Sequence, residues 1–388
     1  MRLAVYFIVV ALSALLWGCG PLPRPGSFGG AIGVLPVSAN MTGLVLSSTD
    51  DLYTSTDVYF YNFLTGQLSP LATGESGDVL IKWDRQRLWV FNRAAGRGSY
   101  SWFSPKLGPS SRSTERRTPQ ANAYDPFDIL GISDSETILS MQSSSKLTVA
   151  NLLTGQASDV SLDSVDTGKA TIPFRPSHLV ELEGVVLAFH QALDSSWQAV
   201  GGGRVYYARR NANLQWNWVD QNVTTSGIQG IILNVSNPMS VFDCEGASCF
   251  VAGACYATMG NNCIDGVDEL NWQTKTVTHL FDLPTGYESA GAIVPGLKAG
   301  DVIACLKSPS EQTAKIFMLE ARTGKTSASW DSGAAFCGPF EVDRNGGRVF
   351  VTKTSDQKSD LFILDAQLQQ LSKISLGIKV SNFEAVDE

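Results

Sequence analysis

Six cysteines in the second half of the chain have spacings that suit disulfide bonds. Two pairs each flank a short turn: one encloses Glu245–Ser248, and the other encloses a loop with Gly260, Asn261 and Asn262. Because an even number remains once Cys19 is set aside, we expect an oxidising compartment and three bonds. The local turns favour Cys244 with Cys249 and Cys255 with Cys263, which leaves Cys305 with Cys337. Six cysteines allow about 15 connectivities, so this pairing is a hypothesis.

Metal chemistry is the alternative use of these residues. No CxxC pair is present, and the three histidines, His178, His190 and His279, are scattered, which disfavours zinc. The segment 259–269 offers oxygen ligands for calcium at Asn261, Asn262, Asp265, Asp268 and Glu269. Cys263 and Trp272 occupy the third and twelfth positions of an EF-hand loop counted from Asn261, where that motif needs oxygen ligands. No cofactor is therefore predicted, and calcium is kept only as an alternative.

Catalytic motifs are sparse along the chain. There is no GxSxG elbow and no HExxH pair, and acidic pairs such as Asp50 and Asp51 lie in turns where solvated carboxylates are expected. No catalytic residue is predicted. An enzyme would need carboxylates, or a metal held in a central channel.

One basic segment, 82–117, carries nine basic and two acidic residues together with several aromatic side chains. Arginine can bind anionic groups through two parallel hydrogen bonds, and aromatic rings add contact area. One interpretation is a docking face for an acidic protein, a glycan or a lipopolysaccharide phosphate. The other is a blade core of tryptophans with a solvated rim of arginines. The candidate partner-binding residues are Arg85, Arg93, Arg97, Trp102, Arg112, Arg116 and Arg117.

The N-terminus reads as a secretion signal. Met1 and Arg2 precede an apolar stretch, 3–16, that is too short for a comfortable membrane span. Leu16-Trp17-Gly18-Cys19 resembles the lipobox of bacterial lipoproteins, although Trp17 stands where a small residue is usual. The resemblance implies a signal peptide over 1–18, a lipid on Cys19 and, with Gly20 following, sorting to the outer membrane. An ordinary signal peptide or an uncleaved anchor is the alternative. The Pro- and Gly-rich segment 19–36 predicts a tether.

The rest of the chain, 37–388, repeats one strand pattern seven times. An apolar strand, such as LWVFN from Leu88 or VFVTK from Val349, is followed after a turn by a second one, such as VYFYN from Val58 or LFILD from Leu361. Copies lie roughly 40 to 60 residues apart, which is the period of a four-stranded propeller blade. Three of the turns that follow read TG[QK], where glycine permits a positive φ.

Most blades also begin with an innermost strand of related sequence. Examples begin at Pro126, Pro176, Pro238 and Pro339, whereas the first blade, from about Met41, has none. The C-terminal segment 381–386 resembles 338–342 and has no blade of its own. The sequence therefore predicts an all-β, seven-bladed propeller of four-stranded antiparallel blades, closed by pairing of the C-terminal strand with the first blade.

These repeats resemble bacterial seven-bladed β-propellers of the broad lactonase-like and quinoprotein-like group. The resemblance covers about 37 to the end and rests on strand and turn residues. It implies the fold, and no catalytic motif of the group is matched.

Composition agrees with one large domain that has a sizeable core, since 44% of residues are hydrophobic. Without 1–18, 28 basic and 37 acidic residues give a net charge of −9, which disfavours nucleic acid as a partner. The predicted function is a lipid-anchored, non-catalytic protein-binding or scaffold module in a bacterial envelope assembly, with envelope proteins as partners and an undetermined facing. The alternative is an envelope hydrolase, lactonase-like, with a metal in the channel.

Overall fold

The computed structural model describes residues 41–387, except 64, 85–86, 94–97, 104–108, 119–124, 161–164, 167–170, 173–174, 183, 212–214, 220–229, 321, 345 and 356. The predictions made for 1–18, for the tether 19–36 with Cys19, and for Arg85 and Arg97 lie outside the described residues. Within the described part, no helix is long and apolar enough to cross a membrane.

Almost all regular structure in the described residues is β-strand. Two single 3₁₀ turns occur, at Pro109–Ser111 and Ala257–Met259. The strands, in chain order, are β1 (Met41–Thr49), β2 (Ser55–Asn62), β3 (Gln67–Ser76), β4 (Val79–Asp84), β5 (Arg87–Asn92), β6 (Ser99–Phe103), β7 (Arg116–Arg117), β8 (Asp128–Ser133), β9 (Glu136–Met141), β10 (Lys146–Asn151), β11 (Ala157–Val160), β12 (Val165–Asp166), β13 (Thr171–Ile172), β14 (Pro176–Leu182), β15 (Val185–His190), β16 (Arg204–Arg210), β17 (Trp216–Trp218), β18 (Ile231–Ile232), β19 (Pro238–Glu245), β20 (Ser248–Gly253), β21 (Gly266–Asn271), β22 (Thr276–Phe281), β23 (Glu288–Pro295), β24 (Val302–Lys307), β25 (Lys315–Leu319), β26 (Thr326–Asp331), β27 (Phe340–Asp343), β28 (Arg348–Ser355), β29 (Lys358–Leu364), β30 (Gln370–Ser375) and β31 (Asn382–Asp387).

These strands form seven antiparallel blades in a ring, as the sequence predicts. From the axis outward the blades are β31-β1-β2-β3, β4-β5-β6-β7, β8-β9-β10-β11, β14-β15-β16-β17, β19-β20-β21-β22, β23-β24-β25-β26 and β27-β28-β29-β30. They are numbered 1 to 7 here. The seven innermost strands contact one another in order around the ring. Blade 4 carries an extra short strand, β18, beside β16, and β12 and β13 form a separate small hairpin.

The ring is closed by main-chain pairing between the two ends of the described chain. β31 pairs with β1 along its length, from Ser47 opposite Asn382 to Met41 opposite Asp387. The C-terminal strand is therefore the innermost strand of blade 1, and the predicted closure is confirmed. Because the strands are antiparallel, the chain enters β1 at the face where the innermost strands end. That face is called the second face, and the face where the innermost strands begin is the first face.

Seven apolar clusters hold the blades together, one between each adjacent pair. Each blade must bury both of its faces, which explains the near-continuous apolar runs in the two middle strands of a blade. Phe383 of β31 lies in the cluster between blades 7 and 1 with Leu46 and Phe350. The C-terminal strand thus contributes side-chain packing as well as main-chain hydrogen bonds.

Turns on the second face follow the predicted TG[QK] pattern. Gly66, Gly155 and Gly324 have φ of 65°, 74° and 63°, so glycine avoids the steric cost of the left-handed conformation. In blade 3 the polar residue that ends the strand, Asn151, accepts hydrogen bonds through Oδ1 from the N–H groups of Leu153 and Thr154 at 2.9 and 2.8 Å. The polar residue after each apolar run therefore fixes the turn that follows it.

Replacing Phe383 by alanine tests how much the closure contributes to stability. Phe383 is almost fully buried, so Phe383→Ala should lower the free energy of unfolding by about 3–5 kcal/mol, measured by urea denaturation. The control is Leu371→Ala, at a side chain that is 58% exposed on the outermost strand of blade 7, which should change stability by less than about 0.5 kcal/mol. Equal effects of the two substitutions would contradict the role given to β31.

Candidate functional site

A cleft opens on the first face above the innermost strands of blades 6, 7 and 1. Its volume is about 330 Å³. The cleft is lined by four short segments, 49–53, 289–292, 336–339 and 379–382, and by Tyr256 from blade 5. We call this site the first-face cleft.

The sequence of blade 6 creates the space. Where other innermost strands carry Phe127, Met239, Phe340 or Phe383, β23 carries Ala290, Gly291 and Ala292. β23 is also bulged there: its pairing with β24 jumps from Ser289 opposite Leu306 to Ile293 opposite Ala304. Small side chains on a bulged strand leave a cavity that the large residues of the other blades would fill.

A disulfide bond forms one wall of the first-face cleft. Cys337 is bonded to Cys305 of β24, and its N–H donates to the carbonyl of Ala290 at 3.2 Å. Gly291 lies against this bond, because a Cβ built there would be 2.9 Å from the Cβ of Cys305 and 3.0 Å from its Sγ. Glycine is therefore required where the inner strand passes the disulfide, and the wall that carries Phe336 is covalently fixed to blade 6.

Large apolar side chains are exposed at the cleft: Tyr53 and Phe336 line it, and Leu52 is the chain neighbour of Tyr53. Phe336 is 68% exposed, Leu52 is 80% exposed and Tyr53 is 41% exposed, although such residues are normally buried. Tyr53 has a φ of 54°, an uncommon conformation for an aromatic residue, and the turn is fixed by the N–H of Thr54, which donates to Asp50 Oδ1 at 2.7 Å. We call Leu52, Tyr53 and Phe336 the apolar rim.

Charged and polar groups beside the rim are held by their neighbours. The hydroxyl and amide of Thr54 donate hydrogen bonds that lower the pKa of Asp50. Asp51 accepts hydrogen bonds from Lys379 and from Gln357 Nε2, and these also lower the pKa of its carboxyl. At the bottom, the hydroxyl of Tyr256 donates to the carbonyl of Gly291 at 3.3 Å, and burial raises its pKa far above the usual range. The first-face cleft thus combines an apolar opening with a preorganised polar surround.

Ionisable residues lie one level deeper on the innermost strands. They follow the Phe or Ser position of four blades, as Asp128, His178, Glu341 and Glu384, and blade 5 has Ser240 at the same position. Pro339 and Asn382 line the cleft, so Glu341 and Glu384, two residues further on, lie on the same sides of their strands. Both glutamates lie further along their strands than the residues that line the cleft.

On the innermost strands of blades 2, 3 and 4, the charge of Asp128 is compensated by Lys82 and by a main-chain N–H group. Lys82 Nζ is 2.6 Å from Asp128 Oδ1, and both side chains are buried. The N–H of Leu179 in blade 4 donates to Asp128 Oδ2 at 2.9 Å. Burial raises the pKa of Asp128 despite the attraction of Lys82. Burial, with the charge of Lys82 second, holds the pKa of His178 well below its usual value, so the imidazole is neutral.

Glu341 differs from these balanced groups. The residue as a whole is partly exposed, but its carboxyl Oε1 is buried and accepts no hydrogen bond from the described residues. Burial raises the pKa of this carboxyl well above its usual value, against the weaker effect of a hydrogen bond from the Val342 amide. Glu384, on the adjacent innermost strand, is only 2% exposed. Sequence reasoning did not single out either residue.

Most of the described residues of the predicted basic face contact other residues of the propeller. Arg93 is buried beside Asp78 and near the ring of Phe127, and Arg112 forms a two-pronged ion pair with Glu75. Arg116 donates to the main-chain carbonyl of Leu152 in blade 3. Trp102 packs on Trp89 with ring centroids 5.2 Å apart, and Arg87 lies 5.7 Å from its ring. Only Arg117, of the described candidate arginines, is exposed. A docking role for this segment stays a prediction, and the contacts favour the interpretation as blade core and rim.

The cysteine predictions are confirmed, and the calcium alternative gains no support. Cys244 is bonded to Cys249, Cys255 to Cys263 and Cys305 to Cys337. The acidic groups of 259–269 point in different directions: Asp268 accepts from the N–H groups of Asn234 and Val235, while Glu269 pairs with Arg322. Across the described residues, no group of three His, Cys, Asp or Glu side chains could hold a metal ion.

The sequence did not predict the cleft, because the strand that forms it differs in sequence from the innermost strands of the other blades. The innermost strand of blade 6 reads Ser-Ala-Gly-Ala and does not match the Pro-led pattern used to find the others. The missing Pro-led segment in blade 6 was therefore the sequence signal that could have indicated the cleft. The rim residues come from two loops far apart in the chain, and no local sequence pattern brings them together.

Comparison with known proteins identifies similar folds only. No protein-family model matches the chain, and no curated protein matches it. A periplasmic gluconolactonase from Pseudomonas aeruginosa is similar with a TM-score of 0.60 and 14% identity, covering 89% of this chain and 99% of that one. A protein from Bacteroides fragilis described as a 6-phosphogluconolactonase has a TM-score of 0.58 and 13% identity, covering 90% and 99%. A protein from Lactobacillus plantarum has a TM-score of 0.58 and 12% identity, covering 89% and 99%. These likenesses support the seven-bladed lactonase-like propeller fold.

The raised pKa of Glu341 predicts a pH-dependent stability. A carboxyl whose pKa is higher in the folded than in the unfolded protein stabilises the fold below its ordinary pKa of 4.5, and this stabilisation is lost as pH rises through the folded value. Glu341→Gln removes the titration, so the variant should gain stability relative to the wild type between pH 4.5 and pH 7.5. Urea denaturation at both pH values measures the difference. Exposed Glu245→Gln is the control, and parallel pH profiles for Glu341→Gln and wild type would refute the assignment.

Proposed function

We propose that this protein is a non-catalytic binding module of the bacterial cell envelope, and that its first-face cleft docks another envelope protein. The observation that carries the proposal is the apolar rim around a cavity. Of the seven large hydrophobic side chains exposed in the described residues, Tyr53 and Phe336 line the cleft, and Leu52 is the chain neighbour of Tyr53. Such a concentration is typical of a protein-binding surface and costs free energy when it is left in water.

The rigidity of the rim supports docking. Tyr53 is presented by a hydrogen-bonded turn and Phe336 by a segment tied through the disulfide of Cys337. A preorganised surface loses little conformational entropy when a partner binds, so more of the contact energy appears as affinity. The polar groups around Asp51 and Lys379 provide the hydrated border that protein interfaces usually have.

The side of the propeller at which the chain enters β1 supports an orientation in which the cleft faces away from the membrane. The chain enters β1 at the second face, and the cleft lies on the first face. If Cys19 carries a lipid, as its lipobox-like surroundings imply, the tether attaches to the second face and the cleft faces outward. Three disulfide bonds favour an oxidising compartment, and the similar protein from Pseudomonas aeruginosa is described as periplasmic.

Site-specific photocrosslinking in intact cells tests this function. A photoreactive amino acid placed at Phe336 or Leu52 should yield one discrete crosslinked protein, whereas the same group at the exposed Leu371 of blade 7 should yield none. Tyr53→Ala should reduce the yield from Phe336 about tenfold or more, since losing an aromatic anchor at an interface costs about 2 kcal/mol. Equal crosslinking from Phe336 and Leu371 would refute docking at the cleft.

Lactone hydrolysis is a second candidate function, because two of the similar folds are described as lactonases and Glu341 is a carboxyl on an innermost strand. A carboxyl with a raised pKa is a suitable general acid near neutral pH. In an assay with glucono-δ-lactone and 6-phosphogluconolactone, a true activity would fall by about 10²-fold or more in Glu341→Gln and stay unchanged in Glu245→Gln. Hydrolysis no faster than in buffer would exclude these two lactones as substrates.

A further inference from the structure

We infer that the first face of blade 4 holds a binding site for a carboxylate group, at which the guanidinium of Arg175, stacked on Trp197, donates two parallel hydrogen bonds to the anion. Neither residue is among those that line the first-face cleft, so this is a separate site. The inference goes beyond the proposed docking function and does not depend on it. It rests on an arginine that has lost part of its hydration without gaining an acceptor in the protein.

Arg175 lies at the first-face end of the innermost strand of blade 4. It directly precedes Pro176, the first residue of β14, and its carbonyl accepts a hydrogen bond from the N–H of Gln191 at 3.2 Å. Its side chain is partly buried. The Nε atom is buried and has no hydrogen-bond partner, whereas the two terminal nitrogens are open to solvent and form no hydrogen bond or ion pair with the described residues. An anion can therefore reach both terminal nitrogens.

The other partly or fully buried arginines of the described residues each have an acceptor. The acceptors are main-chain carbonyls for Arg116 and Arg204 and carboxylates for the rest. Arg175 is the exception in this part of the chain. Burial lowers the pKa of its guanidinium, against a weaker attraction by Asp194. Since a charge that is taken out of water without a hydrogen-bond partner costs free energy, an incoming anion would lower the free energy of the site.

Trp197 gives the guanidinium a fixed surface. The Cζ of Arg175 is 4.3 Å from the centre of the Trp197 ring, which is a cation–π distance. Trp197 has a φ of 63°, an uncommon conformation for a bulky residue, and its N–H donates to the carbonyl of Asp194 at 3.1 Å. Stacking uses the face of the guanidinium and leaves the donors at its edge unused. The ring therefore orients the guanidinium without satisfying its N–H groups.

The turn that carries Trp197 is attached to blade 5. The N–H of Ala199 donates to the carbonyl of Met259 at 2.9 Å, and Trp197 packs against the small apolar cluster that contains Met259. A disulfide bond closes the loop 255–263 around Met259. A guanidinium held on such a support loses little conformational entropy when it binds an anion, so more of the contact energy appears as affinity.

The charges at the site favour a carboxylate over a phosphate group. The two terminal nitrogens of a guanidinium match the two oxygens of a carboxylate. The effect of Asp194 on the pKa of Arg175 shows that one negative charge already lies nearby. A carboxylate adds one further negative charge, whereas a phosphate monoester adds up to about two and would be repelled more strongly. Acidic side chains and free organic acids both carry the required group.

Two matched pairs of acid and amide test the site with the purified protein. One pair is butyrate and butyramide, and the other is glutamate and glutamine, each with an acetylated N-terminus and a methylamide C-terminus. An acid should bind about tenfold more tightly than its amide, because a hydrogen bond to a charged group is stronger than one to a neutral group. Ligand-observed NMR measures the affinities.

The pattern across the pairs identifies the source of the carboxylate. A preference in both pairs supports a site that takes free acids, and a preference confined to the capped glutamate supports an acidic side chain of a peptide. Equal affinity for acid and amide in both pairs overturns the inference. Ethyl phosphate should bind no more tightly than butyrate, and tighter binding of the phosphate overturns the choice of carboxylate.

Variants assign the binding to Arg175. Arg175→Lys keeps the charge but cannot donate two parallel bonds, so the preference for the acid should fall about tenfold, and a fully retained preference overturns the inferred geometry. Trp197→Ala should weaken acid binding by about 2- to 5-fold. Arg209→Lys is the matched control and should change nothing, because Arg209 is an exposed arginine of the second face that lies 5.3 Å from the ring of Trp272.

A third substitution separates a binding role from a role in folding. Arg175→Met retains an apolar stem on Trp197 and removes the charge. Since the guanidinium has no acceptor among the described residues, this variant should unfold at the temperature of the wild type or above while its preference for the acid is lost. Thermal unfolding measures the first effect. An unfolding temperature well below that of the wild type would show that Arg175 serves the fold, and the site assignment would be rejected.

Discussion

The need of every blade to bury two apolar faces is the constraint on which this structure depends. A four-stranded sheet covered on one side only would leave one of the seven apolar clusters in water. A closed ring satisfies all blades at once, and it closes only if one blade is assembled from both ends of the chain. Pairing of β31 with β1 meets that condition through main-chain hydrogen bonds and through Phe383. The position of the cleft follows from the same closure, since blade 1 forms one of its sides.

The regular innermost strands and the irregular strand β23 pack differently. Four of the innermost strands carry a large buried side chain at their first-face end, Phe127, Met239, Phe340 or Phe383. By contrast, β23 has small residues and a bulge, and the cleft is found there. A bulged strand is stabilised elsewhere, in this case by the disulfide between Cys305 and Cys337. The local loss of packing is thus compensated by a covalent link, which lets a cavity exist within an otherwise close-packed ring.

The fold could be predicted from the sequence far more completely than the site. Strand alternation and turn glycines are local signals, so the middle strands of all seven blades, the four innermost strands that begin near Pro126, Pro176, Pro238 and Pro339 and the C-terminal closure are where the sequence predicts them. Two disulfide pairs follow from short spacings, and the third remains by elimination. The cleft could not be predicted, because Tyr53, after the first strand of the described chain, and Phe336, before the innermost strand of blade 7, line one cavity only once the ring has closed. The two interpretations of the basic segment could not be separated from the sequence, because Glu75 and Asp78 precede the segment in the chain, and the three-dimensional structure pairs them with Arg112 and Arg93.

The entry of the chain at the second face also has a mechanical consequence. β1 lies between β31 and β2 and is hydrogen-bonded to both. A pull on the residue before Met41 acts along the strand axis, so it loads both ladders in shear and many hydrogen bonds share the force. Peeling an edge strand would instead break the bonds one after another. The first strand of the described chain is therefore well placed to resist a force applied at its N-terminal end.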